Sequence, residues 1–395
     1  MSPRTPLAAR TADVAPFYVM ELLARAQALE VEGRDIVHME VGEPDFPTPP
    51  PILEAGKAAL ERGLTRYTAA LGLPALREAI ALHYRERYGV RVPPSRVVVT
   101  PGASGALQIL MLALVGPGDE VLLADPGYPC NRHFVRLVEG RAVSMPVGPD
   151  TAYQPTPDRM RRFWSPRSRL LLLASPSNPT GTVLSPGELR ALYAEAQELG
   201  VTVVVDEIYQ GLVYGRPSHT ALALGEDVIV VNSFSKYFGM TGWRLGWVVA
   251  PEDLVPVLDR LAQNLFLAAS TPAQYAALAA FTPETRQILE DRRLELQRRR
   301  DFLLPALRGL GFQIPAEPDG AFYLYADAGR LTDDSFALCR DLLERSGVAV
   351  TPGRDFGRHQ AERHVRFAYT TSLERLQAGV ERLGRHLEGG APKMG

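Results

Sequence analysis

The sequence is poor in cysteine, in net charge and in long apolar runs. Its two cysteines, Cys130 and Cys339, lie far apart in a chain of 395 residues. A disulfide framework is therefore not indicated, and a reducing, cytoplasmic setting is expected. The formal net charge of −2 leaves neither a basic excess for nucleic acid nor an acidic tail. No apolar run approaches the ~18 residues that span a bilayer; the longest, Ala106 to Val115, has the length of a helix. Met1 to Arg10 lacks the apolar centre of a signal peptide. The seven histidines show no metal-ligand spacing, so no metal site is expected. No internal repeat is visible.

What is present is ordinary for a globular protein: 46% hydrophobic and 22% charged residues. The length exceeds that at which one core stops growing, so two domains are expected. Apolar residues recur at helical spacing from Phe17 to Glu30. Asp35 to Val41 reads as a strand, and Gly42 to Pro51 as a turn-rich linker. Strands and helices then alternate. Strands are expected at Val97–Thr100, Glu120–Leu123, Ala142–Val147, Arg169–Ala174, Val201–Val205, Val228–Val231 and Leu245–Val249. Helices are expected at Pro51–Arg62, Leu73–Tyr88, Ser104–Leu114 and Arg132–Val138. Another runs from Ser185 to about Leu199, opened by a capping box in Ser185-Pro-Gly-Glu188. This βαβα rhythm with near-continuous apolar strands predicts an α/β sheet covered by helices on both faces. Pro251 begins a helical region reaching past Arg308. Short strands at Phe322–Tyr325, Val348–Val350 and Val365–Ala368 follow, separated by helices at Asp334–Ser346 and Leu373–Leu387. They predict a smaller α+β domain. Glu388 to Gly395 reads as a frayed tail.

The polar residues that carry chemistry fall at the carboxyl ends of these strands, where open α/β sheets bind ligands. Thr100 to Leu107 joins strand to helix through small residues, as either an anion site or a plain tight turn. In Ser175-Pro-Ser-Asn-Pro-Thr-Gly181, Asn178 sits in a rigid turn that an Asx turn would also explain. Asp206 ends a strand, where it either caps the next segment or keeps a ring nitrogen protonated. Tyr209 follows three residues on. Tyr128 could stack on a flat ring or simply be packed. The stretch from Val228 to Trp247 holds Lys236 between serines and glycines, with Arg244 beyond. A structural turn would explain that loop alone. A lysine so placed also suits Schiff-base chemistry on a carbonyl. The ligand implied by all these points together is flat, phosphorylated, basic at one ring atom and reactive towards an amine. Pyridoxal phosphate has those properties.

The sequence resembles the class I/II aminotransferases of the fold-type I pyridoxal-phosphate enzymes. The resemblance runs from Gly42-Glu-Pro-Asp-Phe46 to Val365-Arg-Phe-Ala368. It rests on Ser175–Gly181, Asp206-Glu-Ile-Tyr209 and Ser233 to Arg244 in that order. It implies a large domain with a mostly parallel seven-stranded sheet at 46–289, and a small α+β domain from 1–45 with 290–395. It implies that Lys236 anchors the cofactor and carries protons, and that Asp206 pairs with the pyridine nitrogen. Asn178 and Tyr209 would bond the phenolic oxygen, and Tyr128 would stack on the ring. Ala103, Ser104, Ser233, Ser235 and Arg244 would hold the phosphate. Tyr67 would reach the neighbouring subunit's phosphate, which makes a homodimer. Arg366 would grip the substrate α-carboxylate, with Gly42 and Asn178 beside it.

The implied activity is ping-pong transamination between an α-amino acid and a 2-oxo acid. A lyase or decarboxylase on the same fold is the alternative, because the cofactor motifs are shared. A non-enzymatic regulator is disfavoured, since no DNA-binding segment precedes the domain. Ser104 stands where one aspartate-specific subgroup has a lysine, and Leu261 to Gln274 lacks the arginine of another. A neutral, alanine-like or aromatic donor is therefore expected over aspartate.

Overall fold

The computed structural model describes residue 5 and residues 7–390. In chain order its strands are β1 Val37–His38, β2 Val97–Thr100, β3 Glu120–Asp125, β4 Arg141–Pro146, β5 Ser168–Ala174 and β6 Thr202–Asp206. They continue as β7 Ile229–Ser233, β8 Gly246–Val249, β9 Tyr323–Asp327, β10 Val348–Ala349, β11 Thr351–Pro352 and β12 His364–Ala368. Seven of them form one sheet in the order β2-β8-β7-β6-β5-β3-β4. β8 is antiparallel to both of its neighbours. The other pairs are parallel. All strands but β8 thus point one way, and the carboxyl ends of β2, β3, β5, β6 and β7 share one edge.

The apolar runs explain why this sheet is central. β2, β7 and β8 are buried along their whole length. Each fully buried Val or Leu contributes ~1.5–3 kcal/mol, enough to offset the ordering of a short strand. Helices cover both faces, so neither face needs polar residues. The helix Pro186–Leu199 starts on its capping box: Ser185 Oγ accepts from the Glu188 N–H at 3.2 Å, and the Glu188 carboxylate accepts from the Ser185 N–H at 2.7 Å. Among the described residues no helix is long and apolar enough to cross a membrane.

The later strands make a small antiparallel sheet, β11-β12-β9. Its register sets Arg366 between Thr351 and Tyr325. β1 pairs in parallel with β10, which brings the segment after His38 alongside β12.

Several elements depart from the pattern read in the sequence. The strand expected at Asp35–Val41 shrinks to Val37–His38. The Met39 carbonyl accepts from the Ala368 N–H, and the three carbonyls after it are taken by side chains instead of a ladder. The Glu40 carbonyl accepts from Thr351 and Arg366, the Val41 carbonyl from Thr370, and the Gly42 carbonyl from Lys236. The helical region after Pro251 is broken into Val255–Leu265, Thr271–Leu278 and Pro283–Gly309. Thr282 caps the last of these by accepting from the Thr285 N–H. A helix at Pro157–Phe163, capped by Thr156, was not signalled by any apolar period. The helix expected at Asp334–Ser346 ends at Asp341 and continues as a wider turn. The final helix runs Leu373–Gly390. Of the expected tail, residues 391–395 lie outside the described residues.

Candidate active site

The shared strand edge gathers the polar residues. Lys236 follows β7, and its Nζ donates to the Gly42 carbonyl at 2.7 Å. Burial lowers its amine to about 8, and Arg366 and Arg244 push the same way against Glu43 and Asp206. Asp206 is the last residue of β6 and is 6% exposed. One of its oxygens accepts from the Ile208 N–H at 3.0 Å. Burial raises its carboxyl to about 6, against that hydrogen bond and the Lys236 charge. A cationic ring nitrogen beside it would hold it ionised. Tyr209 donates to or accepts from Tyr323 across 2.8 Å between hydroxyls. Burial raises both phenols.

Arg366 forms the opposite wall. Its two terminal nitrogens donate to Asn178 Oδ1 at 2.9 Å, to the Glu40 carbonyl at 2.5 Å and to Thr351 Oγ1 at 3.3 Å. The guanidinium stacks 4.2 Å from the Tyr323 ring centre and 4.8 Å from that of Phe356. These rings hold its plane, and its buried Nε has no partner among the described residues. A buried guanidinium held this way, with no carboxylate among its hydrogen-bond partners in the described residues, suits a carboxylate ligand. Gly42 is required beside it: a Cβ there would lie 2.0 Å from Tyr323 Oη.

The third wall is the start of the helix Gly102–Leu114, which follows β2. Gly102 has φ +72°, and a Cβ there would lie 2.7 Å from Arg244 Nη2. Only glycine lets the guanidinium lie against this backbone turn. The N-terminus of this helix, with its dipole and Arg244 beside it, would suit a phosphate. Thr100 Oγ1 donates to the Gly102 carbonyl at 2.9 Å and fixes the turn.

One cavity of about 240 Å³ joins these walls. Gly42, Ala103, Ser104, Tyr128, Asn178, Asp206, Tyr209, Lys236 and Arg366, all singled out in the sequence, line it. The others stand apart from that lining. Ser233 and Ser235 are buried and bonded to each other at 2.9 Å between hydroxyls. Ser235 borders a smaller recess it shares with Lys236. Arg244 lies against Gly102, the residue before the lining residues Ala103 and Ser104. Tyr67 is 83% exposed and is not among the residues that line the cavity. Tyr128 lines the cavity, and its hydroxyl accepts from the Cys130 thiol at 3.1 Å.

The structure adds residues that the sequence reading missed. Tyr323 and Phe356, which flank Arg366, were hidden in an apolar strand and a loop. The first turns of α1 (Tyr18–Val31) add Val19, Met20 and Leu23 to the lining. Helical periodicity marks such residues as apolar without saying what they face. Among the described residues no His, Cys, Asp and Glu cluster has the makings of a metal site.

The donor set fits pyridoxal phosphate. Lys236 would supply an amine, Asp206 a carboxylate for a ring nitrogen, Tyr209 and Asn178 groups for a phenolic oxygen, and the Gly102–Arg244 turn a phosphate site.

Comparison with known proteins agrees. The family model described as aminotransferase class I and II matches residues 34–383. A valine–pyruvate aminotransferase of Mycobacterium tuberculosis is 40% identical over 379 residues, covering 95% of this chain and 97% of that protein. An aspartate/prephenate aminotransferase of Thermus thermophilus is 37% identical over 384 residues, covering 96% and 98%. A crystal structure of an aminotransferase from Mycobacterium tuberculosis superposes with a TM-score of 0.94 at 38% identity, covering 98% of this chain and all of that one.

Proposed function

The chain belongs to the class I and II aminotransferases, and from that premise we propose which of its residues carry transamination and which donor they select. The protein is a pyridoxal-phosphate-dependent transaminase. When bound, that cofactor supplies an electron sink for the pair left on the donor Cα. Lys236 would anchor it, and the amine of Lys236 would take the donor's Cα proton. An amine lowered to about 8 is close enough to neutral pH to serve as such a base. Asp206, at the end of β6, would hold a proton on the pyridine nitrogen. Arg366 orients the donor by its α-carboxylate, so that the Cα–H faces Lys236. Asn178 receives one Arg366 nitrogen and also bonds the ring's phenolic oxygen, which links the two halves of the site. Tyr209 shares that oxygen, and Tyr128 stacks on the ring. Ala103, Ser104, Ser233, Ser235 and Arg244 hold the phosphate.

The donor side chain is the part the comparisons leave open, since one relative is named for valine and another for aspartate. The cavity lining supports a neutral, apolar donor. Among its described residues the cations are Lys236 and Arg366, both already committed. A second carboxylate would be desolvated without a partner, at a cost of several kcal/mol. Val19, Met20, Leu23, Leu107 and Ile208 offer an apolar wall instead. The transaminase relatives support no lyase or decarboxylase reading.

The same proposal takes the enzyme to be a cytoplasmic homodimer in which Tyr67 reaches the partner's phosphate. The exposed ring of Tyr67 and the free cysteines Cys130 and Cys339 support it. A single-chain mass near 43.3 kDa in sedimentation would count against the dimer. It also keeps the division into a large body, 46–289, and a small one of 1–45 with 290–395. β2 to β8 come from the first and the remaining strands from the second. Hydrogen exchange that does not divide the chain near those boundaries would oppose it.

The donor reading is tested by half-reactions on the purified holoenzyme, followed by loss of the cofactor's visible absorbance. Alanine, valine, leucine and phenylalanine should react. Aspartate should react at least roughly 30-fold less efficiently, the equivalent of ~2 kcal/mol of unpaired charge. Aspartate reacting as fast as leucine would overturn the reading.

A further inference from the structure

α1 begins without a cap of its own. Phe17 occupies the cap position and offers no side-chain acceptor. The first N–H groups of the helix are taken by a residue more than 300 positions away. Asp355 Oδ1 accepts from the Tyr18 N–H at 2.8 Å, and Asp355 Oδ2 from the Val19 N–H at 2.9 Å. This carboxylate is 2% exposed and sits in the turn after β11. Its own carbonyl accepts from Arg132 at 3.0 Å. The next residue, Phe356, stacks on Arg366. One short turn thus flanks the carboxylate clamp and holds the end of the helix that carries Val19, Met20 and Leu23.

We propose that Asp355 is a specificity-positioning residue, which sets the apolar wall of α1 at a fixed distance from Arg366 and so selects donors with a sizeable apolar side chain. The inference rests on the apolar-donor reading above. Two charge-assisted N–H bonds at a helix N-terminus are the strongest cap available there. The ring of Tyr18 against Phe336, at 5.0 Å, is a second, weaker anchor. Without Asp355 the first turn of α1 loses both backbone partners. The donor's carboxylate would still find Arg366, while its side chain would meet a loose wall. An alanine donor, with one methyl group, has little to lose.

Kinetics of the holoenzyme with leucine and alanine donors test this. Asp355→Ala should lower the leucine-to-alanine ratio of kcat/KM by ~10-fold, the equivalent of one lost cap. The loss should lie mainly in KM for leucine. Asp355→Asn keeps one acceptor and should fall between that variant and the wild type. Met20→Ala, at a half-exposed position, should shift the same ratio directly. The double variant Asp355→Ala/Met20→Ala should fall little further than Asp355→Ala alone, because both act through one wall. A wild-type ratio in Asp355→Ala overturns the proposal. If that variant does not fold, a wild-type ratio in Asp355→Asn overturns it. A shift in Met20→Ala without one in either Asp355 variant defeats the positioning role alone. No shift in Met20→Ala defeats the apolar-wall reading beneath it.

Discussion

At the scale of single residues, Lys236 is poised by burial more than by any partner. Its amine is lowered to about 8 because water is excluded, and nearby arginines add to that. The neutral amine is the nucleophile towards an aldehyde. A lowered value means that more of it is neutral at a given pH. The second-order rate at which cofactor-free enzyme takes up pyridoxal phosphate should therefore rise with pH through about 8 and then level. An ordinary lysine, near 10.4, would keep the rate climbing about tenfold per unit well above that, and such a profile would contradict the assignment. Lys236, Asp206 and Asn178 were legible because each ends an apolar run in a polar turn. Arg366 was not legible in its own right among so many arginines. What sets it apart is the pair of rings from Tyr323 and Phe356, and these come from other segments. Tyr323, paired with Tyr209, carries no local mark at all: in sequence it is one more apolar residue of β9.

At the scale of elements, the parallel strands were the most legible part. Continuous Val and Leu runs can be satisfied only by burial on both faces, so their ends fall on one edge and the site is built there. Ser185 and Glu188 likewise announced their helix, because the capping box is a local hydrogen-bond pattern. The segment after β1 was misread for the opposite reason. Its composition favours a strand, yet its carbonyls are used by Arg366, Thr351, Thr370 and Lys236. Those partners lie roughly 200 to more than 300 residues away, and no local pattern announces them. α1 shows the same limit. Its apolar spacing foretold a helix, but its cap is Asp355, so neither its anchoring nor its place beside the cavity is written in its own residues.

At the scale of the whole molecule, two sheets meet across one cavity. The larger supplies Lys236, Asp206, Asn178 and the Gly102 turn. The smaller supplies Arg366 and the turn that carries Phe356 and Asp355. On the proposed reading the reacting Cα is held between a base from the larger sheet and a carboxylate clamp from the smaller, with Asn178 and Gly42 joining them. Exposed Tyr67 reads, on this account, as a group meant for a second copy. On the proposed reading Lys236 alone carries the cofactor. The chain has three lysines, Lys57, Lys236 and Lys393, which makes the claim open to a clean test. Borohydride reduction of the holoenzyme, proteolysis and peptide mass analysis locate the lysine that bears the reduced cofactor. The label should fall on the peptide containing Lys236 and be lost in Lys236→Ala. A label on Lys57 or Lys393, or an unchanged label in Lys236→Ala, would contradict it.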